Sequence, residues 1–235
     1  MRSCLVQLVI LVAVVFALLW FGLPLGVSAL ATGALNATGF SGTDTKVEVS
    51  ANPPPMLLTG HADTIRIRSS AASMGDLHAA TVDLVLGDVE LLNRNIGTVD
   101  GTLTGVQVAT PDGKPVLIDS VALTGDAKAT TATASMSLAT AQTLAESELK
   151  AQAGIVAKVG LKTPDKVTVT IGKQSLSGRL VTSNGSLLLV PNGNSLPTVT
   201  LIAPTTVNPF RIQSVKVGLV DITFVGTIDV EMLLS

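Results

Sequence analysis

The sequence is poor in aromatic residues, charged residues and cysteine. It has no tyrosine and one tryptophan, and charged residues make up 14% of its 235 positions, against about 25% in ordinary soluble domains. Its one cysteine, Cys4, cannot form an intramolecular disulfide, so stability must come from burial and strand pairing. The formal net charge of −2 argues against a nucleic-acid partner, because such a partner calls for a basic surface.

Motifs for catalysis and for metal or cofactor binding are also missing from the sequence. The segment GTVDGTLTGV, residues 97–106, comes close to a phosphatase signature, but Thr98 stands where that signature needs a nucleophilic aspartate. His61 and His78 are the only imidazole bases, and no Gly-x-Ser-x-Gly elbow accompanies them. No residues have metal-ligand spacing, and the glycines form no phosphate-binding loop. The sequence therefore predicts a protein that is not an enzyme and that holds no cofactor or metal.

The N-terminal block is predicted to direct the chain to a membrane. Residues 5–25 are apolar apart from Gln7, which is close to the roughly 20 residues that a membrane-spanning helix needs. Small residues at 27–31 also offer cleavage sites for export. We therefore assign residues 1–31 to a signal peptide or an N-terminal membrane anchor, and both alternatives stay open.

The remainder divides into a short linker, residues 32–45, and a single β-rich domain, residues 46–235. Arg2 precedes the apolar block, and the next Lys or Arg is Lys46. The positive-inside rule therefore places the domain outside the cytoplasm. It is either anchored to the cell membrane and facing outside, or, after cleavage, located in the periplasmic or cell-wall space.

Alternation of apolar and polar residues dominates from Lys46 onward and predicts eleven or twelve strands. The dipeptide Asn184-Gly185 predicts a type I′ turn in a tight hairpin. The segment Pro111-Asp112-Gly113 predicts a hairpin with a longer loop. Antiparallel pairing follows from these short connections.

Helical spacing appears in one stretch. It predicts an amphipathic helix over residues 138–153, or continuing past Gly154, with Ser137 as its N-terminal cap. Prolines followed by a glycine predict a shorter helix that starts at Pro54 or Pro55 and stops at Gly60.

Together these elements predict a mainly β fold of the β-rich α+β class. The expected form is a strongly curved antiparallel sheet or an elongated barrel-like body, packed on the one amphipathic helix. A β-sandwich is the alternative. The aliphatic interior fits the lining of a lipid cavity as well as an ordinary sandwich core, and composition does not separate the two.

Two segments carry a family resemblance, residues 52–91 and residues 208–230. The residues that carry it are Pro55, Met56, Leu57, Leu58, Gly60, Ile65, Ile67, Leu77, Val82, Leu84, Leu86, Pro209, Phe210, Ile212, Ser214, Val215, Val217, Gly218 and Leu219. Through these residues the two segments resemble the opening and the close of the LmeA-like family of actinobacterial cell-envelope proteins, formerly a domain of unknown function. That resemblance implies a phospholipid-binding protein with a fold like that of tubular lipid-binding proteins.

The function implied by the resemblance is binding or shuttling of phospholipid in the cell envelope, through an apolar groove or tunnel and without catalysis. Its partners would be phospholipid and a membrane surface. The alternative is a structural or scaffolding β-domain that supports an envelope enzyme or a wall polymer. Alternation selects as lipid-lining residues Val82, Leu84, Leu86, Leu103, Leu149, Val199, Leu201, Ile222 and Phe224. A membrane-contacting lip is predicted from apolar residues near prolines, namely Met56, Leu57, Leu58 and Phe210.

Overall fold

The computed structural model describes residues 40–52, 54–74, 77–90, 93, 95–109, 115–193, 196–203 and 210–228. The predicted leader, residues 1–31, and the loop at 111–113 lie outside these ranges.

The described residues form thirteen strands and one α-helix, which confirms the mainly β class. The strands are β1 Phe40–Ser50, β2 His61–Met74, β3 Leu77–Glu90, β4 Asn95–Ala109, β5 Pro115–Thr124, β6 Thr130–Ser137, β7 Lys158–Lys162, β8 Lys166–Ile171, β9 Gln174–Ser183, β10 Ser186–Pro191, β11 Val199–Ile202, β12 Arg211–Val217 and β13 Asp221–Ile228. The α-helix α1 is Leu138–Ala153, and two short 3₁₀ helices are Pro54–Thr59 and Ala127–Ala129.

The strands form two antiparallel sheets. The eight-stranded sheet has the order β1-β2-β3-β4-β5-β6-β13-β12, and the five-stranded sheet has the order β11-β10-β9-β8-β7. Each sheet is open, with two edge strands, so the barrel-like form is not the one these residues adopt. Helix α1 follows β6 and precedes β7, and it therefore connects one sheet to the other.

The eight-stranded sheet buries one of its two faces. In β13, Ile222, Phe224 and Ile228 are buried, whereas the threonines between them are half-exposed. The opposite face carries many hydroxyl side chains, and those of Thr81 and Thr104 lie 2.6 Å apart across β3 and β4. Burial on one face is the ordinary consequence of period-two alternation in an antiparallel sheet. The apolar residues at alternate positions of the strands therefore form the core.

Helix α1 begins and ends where local sequence signals predict. The hydroxyl of Ser137 accepts a hydrogen bond from the Thr140 backbone N–H at 3.2 Å, which satisfies one free donor of the first turn. Gly154 has a φ of 68° and donates its N–H to the Lys150 carbonyl at 3.1 Å. A left-handed glycine of this kind ends a helix with little strain. The predicted range 138–153 is thus confirmed.

The predicted turn at Asn184-Gly185 is also confirmed. Both residues have positive φ, 50° and 78°, and Ser183 pairs with Ser186 on either side of them. Positive φ at both central residues defines the type I′ turn, whose twist matches that of the flanking strands. The resulting β9–β10 hairpin fixes the register of the central strands of the five-stranded sheet.

The first strand starts earlier than the sequence indicates. Residues 40–45, assigned above to the linker, are part of β1, and Phe40 pairs with Met74 of β2. The register shifts twice between Ser41 and Lys46, and Asp44 has a φ of 53°. Such bulges interrupt strict alternation, which is why the segment FSGTDT does not display the period of a strand.

An ion-pair cluster links β1, β2 and β3 on the exposed face of the eight-stranded sheet. Arg66 donates from Nε to Asp83 Oδ1 at 3.0 Å and from Nη2 to Asp83 Oδ2 at 2.7 Å. Arg68 lies 3.7 Å from Glu48. The two-pronged hydrogen bond from Arg66 lowers the pKa of the Asp83 carboxyl below its ordinary value.

Replacing Asp83→Asn should reduce stability near neutral pH and make little difference in strong acid. Since the pKa of Asp83 is lower in the folded state, its stabilisation is present above the unfolded pKa and is lost as the pH falls through the folded pKa. Chemical unfolding of the parent and variant chains between pH 7 and pH 2 measures this change. A stability difference that stays constant over that range would show that the Asp83 carboxylate does not provide the stabilisation. The control is Asp100→Asn, elsewhere on the same face.

Candidate functional site

The nine residues predicted to line a lipid groove are all buried and all belong to one hydrophobic cluster. Burial of the eight that lie in strands follows from the alternation that selected them, and Leu149 is buried on α1. Their role as a lipid lining stays a prediction. The nine are Val82, Leu84, Leu86, Leu103, Leu149, Val199, Leu201, Ile222 and Phe224.

Three of the nine, Leu201, Ile222 and Phe224, meet around a cavity of about 20 Å³. The cavity lies at the place where α1, the five-stranded sheet and the eight-stranded sheet come together. Its volume is close to that of one water molecule, and its apolar lining offers no partners to hold a water there. The cavity is therefore apolar on every side that the structure describes. Its remaining lining residues are Ala141, Leu144 and Ala145 of α1 with Leu161, Leu180, Leu187 and Ile202 of the five-stranded sheet.

The small side chains of α1 create the space at this junction. Ala141 and Ala145 are both buried, and their spacing of four residues places them on one face of the helix. A methyl side chain lets a helix approach a sheet closely but leaves gaps beside it. Leu144, between them in sequence, completes the helix contribution to the cavity. We call this junction, with its ten lining residues, the helix–sheet seam.

Polar side chains of α1 hold the helix against both edges of the five-stranded sheet. Glu146 Oε1 accepts a hydrogen bond from the Val159 backbone N–H of β7 at 2.9 Å. The Gln152 amide bonds to Thr200 of β11 twice, donating to its carbonyl and accepting from its N–H. Unpaired edge groups of a sheet invite association with other chains. The helix thus covers part of each edge and fixes its own position across the sheet.

The predicted lining residues of β3 and β4 lie elsewhere on the same buried face. Val82 pairs with Leu103 across these two strands, and β4 is separated from β13 by β5 and β6. At about 4.8 Å per strand, this places Leu103 roughly 14 Å and Val82 roughly 19 Å across the sheet from β13. The nine predicted residues therefore belong to the eight-stranded sheet, the five-stranded sheet and α1, and only three of them border the cavity.

The predicted membrane-contacting lip is wrong at Phe210. That side chain is 3% exposed, and it packs over Gly226, where an added Cβ would come within 2.7 Å of the ring. The glycine leaves room on β13 for the ring, which therefore turns inward. Met56 and Leu57 are half-buried in the first 3₁₀ helix, and the side chain of Leu58 lies outside the described residues.

His61, and Asp100 of the phosphatase-like segment 97–106, form hydrogen bonds with neighbouring residues of the sheet. His61 Nε2 lies 3.2 Å from Asp63 Oδ1, and Asp63 Oδ2 also accepts the Asn52 N–H at 2.6 Å. Asp100 lies within strand β4 and accepts a hydrogen bond from the Thr124 hydroxyl. Within the part of the chain that the structure describes, no three His, Cys, Asp or Glu side chains gather as a metal site. In these ranges, too, no helix has the length and apolar character needed to cross a membrane.

Sequence reasoning missed the most exposed hydrophobic side chains of the described residues. Leu219 is 89% exposed and Val220 is 79% exposed, both in the turn between β12 and β13. In the sequence, Gly218 and Leu219 stand out only as part of the family resemblance. The signal that could have found them is the four-residue turn Gly218-Leu219-Val220-Asp221, which interrupts the alternation of both flanking strands.

Replacing Gly226→Ala should destabilise the fold by about 1–3 kcal/mol, the usual cost of overpacking a core. The new methyl group would collide with the Arg211 carbonyl and the Phe210 ring. The matched control is Gly160→Ala in β7, where the nearest atoms lie 3.9 Å from the added Cβ, and it should change stability by less than about 1 kcal/mol. Denaturant unfolding compares the two, and equal effects would show that Phe210 does not pack over Gly226.

The chain matches no family model, no curated protein and no solved structure in the three comparisons made. Its function therefore has to be argued from the buried seam and the exposed surfaces described above.

Proposed function

We propose that this protein binds or shuttles phospholipid in the cell envelope and that acyl chains enter the helix–sheet seam. The observation that carries the proposal is the cavity at this seam, lined entirely by apolar side chains from α1 and from both sheets. Apolar chains are favoured in a dry, shaped space with few directed polar contacts. The proposal is for binding rather than catalysis, and it calls on no cofactor or metal.

An acyl chain needs more room than the cavity of about 20 Å³ offers, so uptake requires the seam to widen. The hydrogen bonds of Glu146 and Gln152 run from α1 to the five-stranded sheet. The contacts of α1 with Ile222 and Phe224 across the cavity are apolar. Apolar contacts are non-directional, and an acyl chain can replace them without leaving a polar group unpaired. The seam would therefore widen on the side of the eight-stranded sheet, away from the first residue of α1, whose N–H is bonded to the Val220 carbonyl at 3.1 Å.

The resemblance to the LmeA-like family supports the same proposal. It suggests an exported protein whose partners are phospholipid and a membrane surface. In the anchored form, residues 1–31 would keep the domain at the outer face of the cell membrane. In the cleaved form, the domain would move through the periplasmic or cell-wall space.

A structural or scaffolding role is the second candidate, and the small size of the cavity favours it. A domain that supports an envelope enzyme or wall polymer needs a solid interior and no space for a ligand. Mass spectrometry of lipids extracted from natively purified protein separates the two roles. Co-purified phospholipid supports the first, and its absence together with failure to take up lipid supports the second.

Replacing Ala141→Leu should lower the uptake of a fluorescent phospholipid by about tenfold or more. The larger side chain fills the seam, and an acyl chain must then overcome overpacking of roughly 1–3 kcal/mol, where 1.4 kcal/mol corresponds to a factor of ten. The measurement is the binding of the lipid analogue to delipidated protein. The control is Ala139→Leu, because Ala139 is exposed on α1.

Leu187→Ala provides a change of opposite sign, because it enlarges the cavity. It should raise uptake above that of the parent protein, although it also costs about 2–5 kcal/mol of stability. Thermal unfolding of each variant shows that the fold is retained at the temperature of the binding measurement. Equal uptake by Ala141→Leu and Ala139→Leu would place lipid outside the seam, and no uptake by the parent protein would refute the proposed function.

A further inference from the structure

We propose that one end of the molecule docks on the surface of an anionic phospholipid bilayer. This docking end consists of the β12–β13 turn, residues 217–221, the β7–β8 turn with its flanking lysines, residues 162–166, and Arg179. It is distinct from the lip predicted from the sequence. Docking does not require that the interior takes up lipid, so this inference stands independently of the proposed function.

The apolar part of the docking end is the pair Leu219 and Val220. Their exposed fractions are 89% and 79%, and they are adjacent at the tip of a tight turn. Two large aliphatic side chains held in water contribute nothing to the core of the domain. Apolar groups that project from a surface next to charged residues are typical of contact with the interface of a membrane.

The turn that carries this pair is held firmly in place. Gly218 donates its N–H to the Asp221 carbonyl at 2.8 Å, and Leu138, at the start of α1, donates to the Val220 carbonyl at 3.1 Å. These bonds fix the backbone on both sides of Leu219. The exposure of the pair therefore belongs to the folded conformation.

The β7–β8 turn lies directly against the β12–β13 turn. Val217 donates its N–H to the Pro164 carbonyl at 2.9 Å, and the Thr163 hydroxyl donates to the Gly218 carbonyl at 3.2 Å. The residues that flank Pro164 are thereby placed beside the exposed pair. The two sheets meet at this point, since β12 and β7 belong to different sheets.

A row of three cations borders the β7–β8 turn. Lys162 pairs with Lys166 across β7 and β8, and Lys166 pairs with Arg179 across β8 and β9. Directly paired residues of an antiparallel sheet share a face, with strands about 4.8 Å apart. All three residues are exposed. The fold thus lines up three positive charges on one face.

Like charges placed opposite one another destabilise a sheet, so this row gains from a negatively charged partner. None of the three cations forms an ion pair with a described acidic residue. Asp165 lies in the turn, and the contact the structure gives it is through its backbone carbonyl, which accepts the Leu180 N–H at 2.8 Å. The row is therefore suited to an anion from outside the chain.

The combination of features favours a bilayer over other anionic partners. Free phosphate or a soluble polyanion would use the cations but would leave Leu219 and Val220 in water. An anionic bilayer satisfies both parts, because phosphate groups lie at its surface and hydrocarbon lies just beneath them. Exposed cations next to such a surface each contribute attraction that falls off within a Debye length.

The test places a fluorescent reporter at the tip of the docking end in the full-length chain. Trp20 is the only tryptophan, so Trp20→Phe combined with Leu219→Trp gives a single local reporter, and the apolar N-terminal block is present in every sample. Vesicles contain brominated phosphatidylcholine either alone or with phosphatidylglycerol. We expect the emission of the introduced tryptophan to shift to the blue and to be quenched by the anionic vesicles.

The requirement for positive charge is tested in the chain that carries Trp20→Phe and Leu219→Trp. Lys162→Gln with Lys166→Gln should weaken vesicle contact by about fivefold for each cation removed, hence roughly 25-fold for the pair. The matched control is Lys158→Gln with Lys173→Gln, which removes the same charge at the opposite end of β7 and β8 and should have little effect. A tryptophan introduced by Val156→Trp, at that opposite end, should remain in water.

Three outcomes would overturn the inference. The reporter at position 219 would stay in water with both kinds of vesicle, or it would be quenched equally by neutral and anionic vesicles. Alternatively, vesicles would bind through the lysines while the reporter stays in water, which would indicate a site for anions alone. Ala141→Leu separates this inference from the proposed function, because it should reduce lipid uptake and leave docking unchanged.

Discussion

One helix has to pack on the apolar faces of two sheets at the place where they meet, and the joining of the two sheets depends on this constraint. Helix α1 meets the five-stranded sheet at Leu161 and Leu180 and the eight-stranded sheet at Ile222 and Phe224. With few aromatic residues available, the contact is made by many small aliphatic groups, each of which contributes little alone. Alanines on the shared face let the helix approach both sheets, and the same alanines leave the cavity.

Local signals were enough to predict the elements around this junction. The bounds of α1 follow from Ser137 and Gly154, which act within one turn of the helix, and the β9–β10 hairpin follows from Asn184-Gly185. Burial of the predicted lining residues followed from alternation, since the side chains of a strand point to opposite faces in turn. The start of β1 did not follow, because its bulges remove the alternation on which the prediction depends.

Partnerships between distant strands were not predictable from the sequence. Nothing near β6 indicates that its neighbour will be β13, and the division of the strands into two sheets depends on that pairing. The same limit applies to the candidate sites. Phe210 is buried because a glycine lies opposite on another strand, and the cations at 162, 166 and 179 become neighbours only through strand register. Composition gives the number of such residues in the chain but does not predict which of them are neighbours in the fold.

The pairing of β6 with β13 also governs the order in which the molecule can be completed. Ser137 pairs with Asp221, so α1 and the whole five-stranded sheet form an insertion between two neighbouring strands. Strands β1 to β6 pair in sequence order and can assemble as soon as they are synthesised. The edge of β6 must then wait for residues 221–228, and contacts between such distant segments form slowly. During that interval β6 presents an unpaired strand edge, so the emerging chain is most vulnerable to association with other copies just before its last strands arrive.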